Sequence, residues 1–84
     1  RVVDGEHAAA VVEVVARALA SQPDEVDVIE VPRRGTTIIE LTMAPGDLGR
    51  VIGRQGRTAS AVRTLAAAAG ELDGERVSVD FRDD

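Results

Sequence analysis

Apolar residues recur at Ala8, Val11, Val12, Val15 and Leu19. That i, i+3, i+4, i+7 spacing predicts a helix over residues 8–20 with one buried face. Asp4 stands where a cap would, and Ser21-Gln22-Pro23 stops the run. Residues 26–31, Val26 to Val31, are short and β-branched, the composition of a strand. Pro32-Arg33-Arg34-Gly35 reads as a turn. Residues 36–43 then alternate strictly, with Thr37, Ile39, Leu41 and Met43 on one side and Ile38, Glu40 and Thr42 on the other. Two such runs around a turn predict an antiparallel hairpin.

Ala44-Pro45-Gly46-Asp47 breaks the second strand and offers Asp47 as a helix cap. A helix of under two turns follows, with Leu48, Val51 and Ile52 inward. After Gly53-Arg54-Gln55-Gly56 a longer helix spans residues 57–69, with Val62, Leu65, Ala66 and Ala69 inward and Gly70 at its end. Residues 76–82 alternate again, placing Val77, Val79 and Phe81 inward and Ser78, Asp80 and Arg82 outward. The order is α-β-β-α-α-β. A right-handed two-helix crossover makes the second and third strands parallel. The expected fold is a two-layer α+β domain, a three-stranded mixed sheet with its helices on one face.

Composition adjusts this picture little, and charge adjusts it more. The 84 residues make one small domain over residues 1–84, with 44% hydrophobic residues to build its core. No cysteine is present, which fits a reducing compartment and rules out thiol chemistry. No apolar run approaches the roughly 18 residues of a membrane span, and nothing resembles a signal peptide. A cytoplasmic location is therefore expected. The chain opens on Arg1 rather than Met, which leaves room for residues upstream. The formal net charge is −5, yet Leu48 to Gly70 carries Arg50, Arg54, Arg57 and Arg63 and no acid. An acidic protein has gathered positive charge around one loop. That pattern argues against diffuse coating of nucleic acid and for one focused site.

The loop supplies the chemistry. Neither Gly53 nor Gly56 carries a Cβ, so a phosphodiester backbone can lie close against the loop. The start of the following helix adds amide donors and partial positive charge. Arg54 and Arg57 are placed to pair with phosphates, and Arg50 lies one turn earlier on the polar side. No nucleophile–base pair accompanies them, so no enzyme is expected, and no cofactor or metal either. His7, the only histidine, has no ligand neighbours in the pattern and is expected to be exposed. Asp24, Glu25 and Asp27 read as a solvated turn.

The element order, together with Gly49-Arg50-Val51-Ile52-Gly53-Arg54-Gln55-Gly56-Arg57-Thr58 between the last two helices, resembles a type II KH domain. It is similar over essentially the whole chain to the small stand-alone bacterial KH proteins of the KhpA family. The resemblance implies binding of single-stranded RNA by Arg50, Val51, Ile52, Gly53, Arg54, Gln55, Gly56 and Arg57. Bases would lie in an apolar groove floored by Val51, Ile52 and Val62, which takes about four nucleotides in KH modules. It further implies an RNA chaperone that acts with a KhpB-type KH protein and affects cell elongation and cell-wall homeostasis. Family members often carry lysines in the loop, where this chain has Arg54 and Gln55. With one phenylalanine and no Trp or Tyr, base stacking is scarce, and weak binding of modest sequence preference is expected.

Other readings of the same residues are weaker. A Gly-x-x-Gly can be a bare inter-helix turn, but this one is ringed by arginines. A phosphate-binding P-loop needs Gly-x4-Gly-Lys-Ser/Thr, and a dinucleotide site needs different glycine gaps. A sheet that reads RNA by stacking needs aromatics where Glu40 and Asp80 stand. Arg33 and Arg34 read as a solvated pair. The rival of a different class is a protein-interaction module with little RNA affinity, because Ala59, Ala61, Ala66, Ala67, Ala68 and Ala69 ring the last helix with small side chains. It predicts a homodimer, or a heterodimer with another KH protein, through the face that carries Ala61 and Ala68.

Overall fold

In the computed structural model, which describes residues 6–82, six elements follow one another. They are α1 (Glu6–Leu19), β1 (Asp27–Arg33), β2 (Thr36–Thr42), α2 (Leu48–Ile52), α3 (Arg57–Leu72) and β3 (Val77–Arg82). Short 3-10 turns cover Pro23–Glu25 and Arg54–Gly56. The expected cap at Asp4 lies outside the described residues. The order is the expected α-β-β-α-α-β, and the sheet runs β1-β2-β3. β1 pairs antiparallel with β2, from Asp27↔Thr42 to Arg33↔Thr36. β3 pairs parallel with β2, from Thr37↔Val77 to Thr42↔Arg82.

The hairpin is tighter than the sequence suggests. Pro32 and Arg33 belong to β1, and only Arg34 and Gly35 form the turn, with Gly35 at φ +72. Proline is tolerated because β1 is an edge strand. Thr37, opposite Pro32, sends its N–H the other way, to the Arg76 carbonyl at 2.8 Å.

The alternation in β2 sets the core. Thr37, Ile39, Leu41 and the following Met43 are buried, as expected, and Ile39 and Leu41 are wholly shielded. Burying such a side chain is worth roughly 1.5–3 kcal/mol. The helices cover this face of the sheet. Ala8, Val12 and Ala16 form the buried stripe of α1, while Leu19, expected inside, is 37% exposed at the last turn. On α3 the buried arc is Ala59, Val62, Ala66, Ala69 and Gly70. Leu65, also expected inside, is 53% exposed. At about 100° per residue it lies some 60° from Val62, on the side away from Ala66 and Gly70. Small residues fill the buried arc and bring α3 close to its neighbours, so the larger leucine stays outside.

Gly70 does not end α3, as the sequence suggested. It sits buried within the helix, and a Cβ there would meet Val77 Cγ2 at 2.7 Å and the Glu75 carbonyl at 3.1 Å. Its role is close approach of helix to strand. Gly74, at φ +69, makes the exit instead, and the Glu75 N–H returns to the Gly70 carbonyl at 2.9 Å. At this end Asp73 accepts the His7 N–H at 3.1 Å and pairs with the exposed His7 ring, which latches the first turn of α1 to the end of α3.

Candidate nucleic-acid interface

Three of the four residues in the Gly-x-x-Gly turn adopt positive φ. Gly53 has φ 75 and ψ 175, a region open essentially to glycine alone. Gln55 has φ 58 and ψ 24, and Gly56 has φ 72 and ψ 14. A left-handed glutamine costs about 1–2 kcal/mol relative to ordinary helical backbone. Its side chain is used locally, since its Oε1 accepts from Arg57 Nη2 at 3.1 Å. The two glycines differ in their surroundings. A Cβ on Gly53 would lie 2.4 Å from Thr58 Oγ1 and 2.8 Å from Thr58 Cβ, whereas Gly56 has nothing within 4 Å.

Gly56 is also the N-cap of α3 and has no side chain to cap it. The Gly56 and Arg57 N–H groups are taken by the Gly53 and Arg54 carbonyls, so what the start of α3 offers at the loop is chiefly its dipole, which favours an anion. Arg54, Gln55 and Arg57 are exposed around it. Arg50 is exposed on α2 and lies 3.5 Å from Asp47, so its charge is partly met within the protein. Arg63 stands over the Phe81 ring, 4.8 Å from its centroid, and joins α3 to β3 beside the loop.

The apolar floor is smaller than the sequence reading. Val51 is 1% exposed and Val62 is 2% exposed, so both belong to the core. They hold α2 and α3 in place, and Ile52 keeps partial exposure at the loop. Farther along α3 the space between helix and sheet opens into a cleft of about 350 Å³, lined by Ala67, Glu71, Gly74, Glu75, Arg76 and Val77.

Asp47 was read as a cap for α2, and it makes no such bond. Its carboxylate instead accepts the Ser21 hydroxyl at 2.7 Å, the Ser21 N–H at 3.1 Å and the Gln22 N–H at 3.0 Å. The Ser21 hydroxyl bond, outweighing burial, holds the carboxyl below its ordinary value, helped by the two backbone bonds and Arg50. The carboxylate thus ties the exit of α1 to the entry of α2 and fixes the base on which the loop stands. Neither this tie nor the Arg63–Phe81 stack was singled out in the sequence. Arg63 had been counted only as charge, and pairing it with Phe81 requires knowing which residues of α3 face β3.

Among the described residues no group of three or more His, Asp or Glu could hold a metal ion. No helix among them is long and apolar enough to cross a membrane.

The profile of the family described as KhpA/KhpB, KH domain, matches residues 9–81. An RNA-binding protein KhpA of Caldanaerobacter subterraneus is 47% identical over 70 residues, which cover 83% of this chain and 93% of that protein. The protein of the same name from Clostridium acetobutylicum is 46% identical over 69 residues, 82% of this chain and 92% of the relative. That from Leifsonia xyli is 46% identical over 70 residues, 83% of this chain and 90% of the relative. Among solved structures, an Aquifex aeolicus Era variant bound to GDP and tetrafluoroaluminate matches with a TM-score of 0.63 at 20% identity. The match covers 90% of this chain and 29% of that one, and it speaks to the fold alone.

Proposed function

The chain belongs to the KhpA/KhpB KH-domain family, and from that premise we propose that it binds single-stranded RNA through residues 50–57. The observation that carries this reading is the loop geometry. Gly53 is held where only glycine fits, Gly56 leaves the start of α3 uncapped, and Arg54 and Arg57 flank both in solvent. Phosphates would sit against the loop and the first turn of α3. Bases would lie on Ile52 and run along the α3–β3 groove past Arg63 and Phe81. The absence of free aromatic platforms makes this a weak binder that holds strands transiently, which suits an RNA chaperone. We extend the reading to a cytoplasmic protein in which residues 1–84 form one KH domain without enzymatic activity. In this reading it works with a KhpB-type partner in post-transcriptional control of cell elongation and cell-wall homeostasis.

The test is a salt titration of binding to a single-stranded RNA by fluorescence anisotropy. With about three arginines on phosphate, log K against log salt should slope near −2. Duplex DNA should bind far more weakly. A flat dependence would show that the arginines do not touch the backbone.

A second reading concerns association, and a specific surface favours it. Ala61, Leu65, Ala68 and Leu72 line one exposed stripe of α3 at spacings of four, three and four. Leu65 is 53% and Leu72 is 75% exposed, unusual for side chains of this size. Small residues beside leucines let a second helix approach closely. We propose that this face pairs two copies of the chain, or one copy with another KH protein. Because Ala61 is outward, Ala61→Phe should keep the circular-dichroism spectrum and halve the mass seen by light scattering. A wild type that stays monomeric, alone and with a KH partner, at high micromolar concentration would sink the idea.

A further inference from the structure

We propose that Arg33, Arg34 and Arg76 form a second phosphate-binding site, which takes the backbone of the same RNA strand where it leaves the Gly-x-x-Gly groove; this rests on the RNA-binding reading above. The β1–β2 turn and the loop from α3 to β3 stand side by side. The Thr37 N–H donates to the Arg76 carbonyl at 2.8 Å, and the Thr37 hydroxyl donates to Glu75 at 2.8 Å. Between them lies a cleft of about 200 Å³, with Arg33, Thr36, Gly74, Glu75 and Arg76 in its wall.

The charges in that cleft favour an anion. Arg33, Arg34 and Arg76 are exposed, and none of them forms an ion pair among the described residues. The acid beside them, Glu75, is engaged by the Thr37 hydroxyl. In a protein of net charge −5, two arginines in the wall of one cleft, with Arg34 at the neighbouring turn tip, are poorly served by the protein itself. Guanidinium groups on the end of β1, its turn and the neighbouring loop suit phosphodiester oxygens, which they contact in pairs.

The position suits the same strand. Gly74, Glu75 and Arg76 line both this cleft and the larger one beside Ala67 and Glu71, so the two adjoin. The path from the loop therefore runs past Arg57 and Arg63, along the α3–β3 edge, to Arg76 and the hairpin. α3 alone spans about 24 Å. A strand confined to the groove, about four nucleotides in KH modules, would end short of the hairpin, and a longer one would reach it. The acidic Glu71 between the two basic ends favours a strand gripped at both ends.

Two labelled single-stranded RNAs, about four and about twelve nucleotides long, separate the sites in an anisotropy assay. The longer strand should show a salt slope steeper by about 2. Replacing Arg33, Arg34 and Arg76 together by Gln should remove that excess slope and weaken the longer strand about tenfold, with the shorter unchanged. Arg34→Gln alone, at the turn tip, gives a smaller loss in the same direction and leaves β1 intact. If the longer strand gains no slope, or the triple variant weakens both strands equally, this site is wrong while the Gly-x-x-Gly reading stands. If neither strand binds, the RNA-binding reading itself fails.

Discussion

Arg54→Asp combined with Gln55→Asp is expected to lower affinity for single-stranded RNA at least a hundredfold while leaving the melting temperature within about 2 °C. Both side chains are exposed at the tip of the turn, so no core contact is lost. The left-handed backbone at position 55 accepts aspartate better than most residues, so the loop should keep its shape. Binding, by contrast, changes sign at this point. One cation and one amide donor become two carboxylates facing phosphate, a repulsion that grows as the site is desolvated. The new acid at position 55 would also hold the Arg57 guanidinium more firmly than the present amide does. Electrophoretic shift and anisotropy read the loss, and thermal unfolding reads the control. Unchanged affinity would remove residues 54–57 from the site.

Gly53→Ala is expected to cost about 2–4 kcal/mol of stability and to abolish binding with it. Two effects combine. The backbone at φ 75 and ψ 175 excludes a side chain by its own sterics, a penalty of about 1–3 kcal/mol. The added Cβ also overlaps Thr58, whose branched Cβ cannot swing away. The paired variant Gly53→Ala with Thr58→Ala should therefore recover part of the loss and never all of it. Gly56→Asn is the control. Its left-handed conformation is one asparagine tolerates, and open space surrounds it, so stability should fall by less than about 1 kcal/mol. Chemical denaturation of the three proteins decides the matter. If Gly56→Asn is the more damaging change, the loop is not built as described.

The order and pairing of the elements were legible because the signals are periodic. Strict alternation from Thr37 to Met43 forces one face inward, and β2 obeys it residue by residue. The Gly-x-x-Gly turn was legible because Gly53 and Gly56 take positive φ, a conformation few other residues accept. What escaped depends on how elements meet. Leu19 and Leu65 lie near the apolar arcs of their helices, but alanines and Gly70 set how closely those helices approach. Val51 and Val62 read as groove residues in the sequence because an apolar residue beside a glycine loop reads the same whether it faces outward or into the core. Gly70 looked like a helix stop because helices often end at glycine, and only the contact with Val77 reveals its other use. Asp47 looked like a cap because its true partners, Ser21 and Gln22, are distant in the sequence.

The central position of β2 has a kinetic meaning. On one side it meets β1 through a two-residue turn, so the hairpin can close in roughly microseconds. On the other it must wait for Val77 to reach Thr37, after α2, the glycine turn and α3 have all been laid down. That closure pays the loop entropy of the whole crossover before the parallel ladder rewards it. Until then Ile39 and Leu41 lack part of their cover. The segment that would meet RNA is thus also the corner the chain must turn during its slowest assembly step. Stiffening or straining that corner alters how fast the domain forms as well as what it holds.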